Sequence, residues 1–141
     1  MPDLVSPLGG VALSSLRGRR VLVVEDEYLL AEDLREELER QGAEVMGPVA
    51  SAADALKLLR SGPAPYVAIL DINLGGEMAY PVADALRARD IPFIFATGYE
   101  AQAIPKAYKD VPRAEKPVEV RQAASKLIKL SIPPRTNEVW P

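Results

Sequence analysis

The sequence predicts an α/β protein built on a doubly wound, five-stranded parallel sheet. Two observations carry this reading. From Arg20 onward, short apolar runs alternate with amphipathic stretches, and the alternation repeats five times. Several of the runs, such as Val21-Leu22-Val23-Val24, are continuous rather than alternating, as strands buried on both faces are. Strands that alternate with helices pair in parallel and carry helices on both faces.

The elements follow in order. Val21 to Val24 is a β-branched run that stops at charge and reads as the first strand. Leu30, Leu34 and Leu38 recur every four residues with Glu and Arg between them, and Gly42 follows, which predicts an amphipathic helix with a glycine stop. Glu44 to Val49 is a weaker second strand. Ser51 with Asp54 three residues later marks a helix start, with Ala52, Leu56 and Leu59 as the buried stripe up to Gly62. Tyr66 to Leu70 is the third strand, ending at Asp71. Pro81 suits the first turn of a helix that buries Val82, Ala85 and Leu86. Pro92 to Ala96 is the fourth strand, its leading proline compatible with a strand start. A short helix from Gly98 is limited by Pro105, a fifth strand falls around Pro112 to Glu115, and a last helix turns Val120, Ala124, Leu127 and Ile128 inward.

Composition narrows the function. The chain has 141 residues, enough for one domain of ordinary size. Seventeen Lys and Arg against 20 Asp and Glu give a net charge of -3, the wrong balance for a binder of nucleic-acid backbones. With no Cys there is no disulfide framework, thiolate metal site or cysteine nucleophile, and with no His there is no imidazole base or ligand. A metal here is therefore held by oxygen, which favours Mg²⁺, Mn²⁺ or Ca²⁺. Arg17, Arg19 and Arg20 follow an interrupted apolar stretch instead of preceding it, unlike a secretion signal. No apolar run is long enough to cross a bilayer, so a cytoplasmic protein without membrane contact is expected. Residues 1–18 and 133–141 read as a flexible N-terminal extension and a C-terminal tail around a domain spanning 19–132.

In an open parallel sheet, ligands bind beyond the carboxyl ends of the strands. That rim receives Glu25 and Asp26 after the first strand, Asp71 after the third, Thr97 after the fourth and Lys116 after the fifth. Singly these are unremarkable: a capping pair, a turn former, an N-cap, a solvated charge. Together they place three acids, a hydroxyl and an ammonium on one edge. Clustered carboxylates raise one another's pKa unless a cation neutralises them, and a hard divalent ion does so while recruiting phosphate oxygens. A carboxylate can also attack phosphorus to give an acyl phosphate. The charge on a transferring phosphoryl group then needs separate stabilisers, for which Thr97 and Lys116 are suited. Asp71, at the end of the central strand, is the best nucleophile.

These residues resemble a known family. Val21-Leu-Val-Val-Glu-Asp-Glu27, Asp71 after an apolar strand, Thr97 after Phe95-Ala96, and Lys116-Pro117 are similar to the motifs of the receiver domain of bacterial response regulators. The resemblance covers about residues 19–132. It implies a flavodoxin-like (βα)5 fold with strand order 2-1-3-4-5, an order borrowed from a receiver that is itself a standard example of this topology. It also implies that Asp71 accepts a phosphoryl group while Thr97 and Lys116 hold its oxygens. Mg²⁺ (or Mn²⁺) would be bound by Asp26 and Asp71, by Glu25 through water and by the backbone carbonyl of Asn73. The Lys116–Pro117 bond resembles the family's cis peptide. The phosphodonor would be a histidine kinase or a histidine phosphotransfer protein, and a further, unidentified protein would read the output of a monomer or weak dimer.

Two features set the chain apart. Receivers commonly carry Phe or Tyr three residues before the lysine as a switch, and Arg113 stands there. Phe95-Ala96-Thr97-Gly98-Tyr99 resembles the FAT GUY subgroup, which includes stand-alone and stress-signalling receivers. Tyr99, Ile104, Tyr108 and Arg113 are accordingly expected at the switch and interaction surface. No effector domain is expected in the residual chain, so the output is protein interaction, phosphate relay or phosphate drainage. Two other functions compete. A dehalogenase-type phosphatase uses similar groups but needs an acid two residues after the nucleophile, where Asn73 stands. A degenerate receiver-like module would signal without phosphorylation, against which the complete set of five site residues argues.

Overall fold

The computed structural model describes residues 16–97, 104–116 and 126. In chain order the elements are β1 (Arg20–Val24), α1 (Tyr28–Arg40), β2 (Glu44–Val49), α2 (Ala52–Ser61), β3 (Val67–Asp71), β4 (Asn73–Leu74), β5 (Glu77–Met78), α3 (Tyr80–Ala88), β6 (Phe93–Thr97), a 3₁₀ turn (Lys106–Tyr108) and β7 (Arg113–Glu115). The main sheet runs β2-β1-β3-β6-β7, all parallel. With the β4–β5 ribbon set aside, this is the expected order 2-1-3-4-5. The last helix, the helix from Gly98 and the cis bond expected at Lys116–Pro117 lie wholly or partly outside the described residues.

Strand alternation divides the interior into two half-cores, because successive side chains point to opposite faces. On one face Leu22, Val24, Ala68, Leu70, Phe93 and Phe95 pack against α2 and α3, and Ile104 and Val111 join them. On the other, Val21, Val23, Val67, Ile69, Ile94, Ala96 and Ala114 pack against Leu34 and Leu38 of α1. Burial of a leucine such as Leu38 contributes about 1.5–3 kcal/mol. Leu16 also belongs to this second half-core and is fully buried, so ordered structure reaches into the expected extension 1–18.

The helix ends explain themselves locally. Ser51 caps α2, its side chain accepting from the Asp54 N–H at 3.1 Å, and Pro81 sits in the first turn of α3. At the end of α1, Gly42 (φ +95°) donates to the Glu39 carbonyl and Ala43 to that of Leu38. This paired arrangement uses the left-handed conformation that glycine adopts without strain.

Several expectations shift. The buried stripes are Ala31, Leu34 and Leu38 in α1, Ala52, Ala55 and Leu59 in α2, and Val82, Ala83 and Leu86 in α3. Leu30, Leu56 and Ala85 are only half-buried. In each helix at least one alanine belongs to the buried stripe. The third and fourth strands each start and end one residue later than expected, so that Asp71 and Thr97 are the last residues of β3 and β6 rather than the first beyond them. The backbone of each of these two candidate residues therefore lies within a strand ladder.

A candidate phosphoryl-acceptor site

Four strand ends build the site. Glu25 and Asp26 follow β1, Asp71 closes β3, Thr97 closes β6, and Lys116 follows β7. Register brings them together: Val24 pairs with Leu70, Asp71 with Ala96, and Thr97 with Glu115. The Lys116 N–H donates to the Thr97 carbonyl at 2.8 Å, extending the last ladder by one bond.

The acids converge. Glu25, Asp26 and Asp71 each offer a carboxylate oxygen, and these lie within 4.8 Å of one another. Glu25 and Asp71 are almost wholly buried, at 3% and 2% exposure. The Lys116 Nζ donates to Asp71 Oδ2 at 2.8 Å and stands 3.4 Å from both Glu25 carboxylate oxygens. It is also 3.5 Å from Glu27 Oε1, a contact not anticipated from the sequence. Backbone donors complete the set: the Glu27 N–H donates to Glu25 and the Asn73 N–H to Asp71 Oδ1.

One ammonium does not neutralise three carboxylates. Asp71 is pushed up to about 7, mainly because burial disfavours its charge. The Lys116 hydrogen bond opposes this shift, and the charge of Glu25 adds to it. Burial pulls Lys116 down, but its hydrogen bond to Asp71 and the charges of Asp71 and Glu25 outweigh that and leave it raised. In the unfolded chain Asp71 would titrate near 3.8. The native state thus holds this proton to higher pH, and the stability linked to it is full below the unfolded value and lost as pH rises through about 7. We expect the melting temperature in chelator to fall between about pH 5 and about pH 8 relative to Asp71→Asn, whose amide has no such titration. Parallel melting curves for the two proteins across that range would contradict the assignment.

Thr97 adds a different signal. Its side chain is 1% exposed, and its Oγ1 has no hydrogen-bond partner among the described residues. An orphaned buried hydroxyl costs about 1–3 kcal/mol. Such a group at the rim of an acid cluster is free, among the described residues, to donate to an acceptor oxygen. The oxygen-only acid set likewise suits a hard divalent ion.

The β4–β5 ribbon, absent from the sequence reading, borders the acids. Gly75 (φ +68°) and Gly76 (φ +100°) form its turn, a pairing that favours glycine at both positions. A Cβ on Gly75 would come within 3.4 Å of Asp26 Oδ2. The Asn73 side-chain oxygen accepts from the Gly76 N–H at 2.6 Å, so it is engaged in the turn. A Gly-Gly pair between Leu74 and Glu77 was the available signal.

The expected switch residues fall in several places. Ile104 is buried in the α2–α3 half-core, and Tyr108 stacks on Tyr80 of α3. Arg113 is half-buried in β7, and its carbonyl accepts from Lys126 Nζ. Tyr99 lies outside the described residues. Beside the acids, Tyr28 and Leu29 at the start of α1 project into solvent, 74% and 75% exposed. Among the described residues no helix is long and apolar enough to cross a membrane.

The chain is similar to several known response regulators. The phyllosphere-induced regulator PhyR of Methylorubrum extorquens is 32% identical over 99 residues, covering 69% of this chain and 37% of that protein. The chain spans between about a third and a half of the length of the curated relatives it matches, from 35% to 48%. The solution structure of SdrG from Sphingomonas melonis superposes with a TM-score of 0.71 at 40% identity, covering 82% of this chain and 98% of that one. The crystal structure of the response regulator PhyR from Brucella abortus gives a TM-score of 0.72 at 25% identity, covering 98% of this chain and 56% of that one. Residues 21–115 match the family described as the response regulator receiver domain. That stretch contains all the strands of the sheet but the first residue of β1, with the acid cluster at their ends, and the chain belongs to the response regulator receiver family of two-component signalling.

Proposed function

We propose that the protein accepts a phosphoryl group on Asp71 from a histidine kinase or a histidine phosphotransfer protein and changes conformation in response. The observation that carries this reading is the pairing of a buried, ammonium-bonded carboxylate with a buried hydroxyl at the next strand end that has no partner among the described residues.

Asp71 attacks the donor phosphorus through a carboxylate oxygen, forming the acyl phosphate as the bond to the donor's leaving group breaks. Deprotonation of Asp71 is required, and Lys116 favours it by stabilising the anion at 2.8 Å. As negative charge spreads over the phosphoryl oxygens, the Lys116 ammonium and the Thr97 hydroxyl each donate to one of them. Asp26 and Asp71 would bind Mg²⁺ or Mn²⁺ directly, Glu25 through water and Asn73 through its backbone carbonyl. When bound, the ion neutralises the acids and polarises a phosphoryl oxygen. Asn73 cannot act as a general acid, and its side chain is held in the ribbon turn, which disfavours a multiple-turnover phosphatase. The exposed Tyr28-Leu29 pair beside the acids suits docking of the phosphodonor protein.

Intact mass after incubation with Mg²⁺ and acetyl phosphate tests the reading. Addition of one labile phosphoryl group supports it. Rapid multiple turnover of the donor supports the phosphatase, and no addition supports a module that works without phosphorylation. Asp26→Asn is expected to weaken Mg²⁺ binding by roughly tenfold or more, since it removes one of few charged ligands. An unchanged titration, followed by chemical shifts around Asp71, would place the ion elsewhere.

A further inference from the structure

The position where receivers carry a switching aromatic holds Arg113, yet aromatic residues gather around Phe95, its ladder partner on β6. Phe95 lies two residues before Thr97 and so on the same face of the strand. Its ring meets Tyr80 edge-on at 6.2 Å and Tyr108 edge-on at 6.3 Å. Tyr80 and Tyr108 stack on each other at 4.6 Å, nearly parallel at 15°. Tyr80 opens α3, whereas Tyr108 ends the 3₁₀ turn between β6 and β7.

Polar contacts close the same joint. The Tyr108 hydroxyl donates to Asp84 Oδ1 at 2.6 Å. Arg87 lies over the Tyr108 ring at 5.3 Å while donating to the Ala107 carbonyl at 2.9 Å and to Asp110 at 2.8 Å. Tyr108 is therefore fixed on its ring face, at its hydroxyl and along its own turn, all by α3. Beneath it, Ile104 and Val111 anchor the two ends of the segment in the core.

We propose that the Tyr80–Tyr108 stack is a latch that couples the acceptor site to the 104–111 segment through Phe95, with Tyr108 as the positioning residue. The proposal rests on phosphorylation at Asp71 as set out above. Thr97, whose hydroxyl has no partner among the described residues, moves toward a phosphoryl oxygen. Phe95 follows because the two residues share one strand and one face. Its edge contacts with both tyrosines are disturbed, the stack opens, and the 104–111 segment comes away from α3 for a partner to read.

Hydrogen exchange at the Tyr108, Lys109 and Val111 amides reports the latch, since these donate within the segment to Pro105, Lys106 and Tyr108. It is to be measured on the full chain with Mg²⁺, with and without acetyl phosphate, with intact mass recorded on the same samples. Phosphorylation is expected to speed exchange at these amides by roughly tenfold. In Tyr108→Leu they should exchange fast in both states while phosphoryl uptake persists. Tyr108→Phe, which keeps the stack and loses only the bond to Asp84, should restore a phosphorylation-dependent change. Phosphoryl uptake with unchanged or slower exchange in the parent overturns the latch alone. A dependence on phosphorylation that survives in Tyr108→Leu overturns it as well. Absence of uptake in the parent overturns the phosphorylation reading and the latch with it.

Discussion

Asp71→Asn is expected to abolish phosphoryl uptake while leaving the protein folded and, without divalent ion, more stable near neutral pH. The uptake fails because an amide is a poor nucleophile toward phosphorus, and the neighbouring acids occupy different places. Glu25 accepts from the Glu27 N–H, and Asp26 lies beside Gly75 at the border of the site. The stabilisation follows from the raised titration of Asp71: its surroundings disfavour the charged form, and the amide removes that charge without changing the shape of the side chain. The gain should grow as pH rises from about 5 to about 8, where the native carboxylate ionises. Stoichiometric uptake by the variant, or destabilisation at pH 8, would contradict the placement of Asp71 at the centre of the acid cluster.

Lys116→Ala is expected to permit slow phosphoryl uptake but to sever it from the conformational response. The lysine is the only cation bonded to the buried acids among the described residues, and its backbone N–H ties it to Thr97. Without it, one stabiliser of the transferring group is gone, a loss of about 10²–10³ in rate by analogy with single oxyanion donors. The physical link from the phosphoryl oxygens to β7 is also gone. Stability responds less than removal of one partner from a buried pair ordinarily implies, about 3–5 kcal/mol. Asp71, already raised to about 7, takes up a proton and relieves the uncompensated charge. Its titration should therefore shift further upward in the variant. Chemical-shift perturbations on phosphorylation identical to those of the parent would show that Lys116 carries no signal.

The site was legible in the sequence to the extent that the strands were. Val21–Val24 and Val67–Leu70 are continuous apolar runs, and a charged residue at the end of such a run can only lie at the rim. Glu25, Asp26, Asp71, Thr97 and Lys116 were recoverable from that logic, and the structure brings these strand ends to one edge. Helix faces were harder to read. In Tyr28-Leu29-Leu30-Ala31 any of several registers gives an apolar stripe, and the structure turns Leu29 out and Ala31 in. The β4–β5 ribbon escaped because two-residue strands have no periodicity, although Gly75-Gly76 carried the turn signal. Leu16 escaped because its Gly- and Ser-rich flank resembles a frayed terminus, whereas its burial depends on distant residues such as Ala43. The Tyr80–Tyr108 stack joins residues far apart in the chain, which spacing alone does not bring together.

The central claim is that one acid among three, Asp71, receives the phosphoryl group, and chemical mapping tests it most directly. After incubation with Mg²⁺ and acetyl phosphate, hydride reduction of the acyl phosphate converts the modified aspartate to its alcohol, and peptide sequencing by mass spectrometry locates it. Reduction at Asp71 alone, absent when Mg²⁺ is replaced by chelator, is the expected result. Reduction at Asp26 or Glu25, or at no residue under conditions where the donor is intact, would contradict the account.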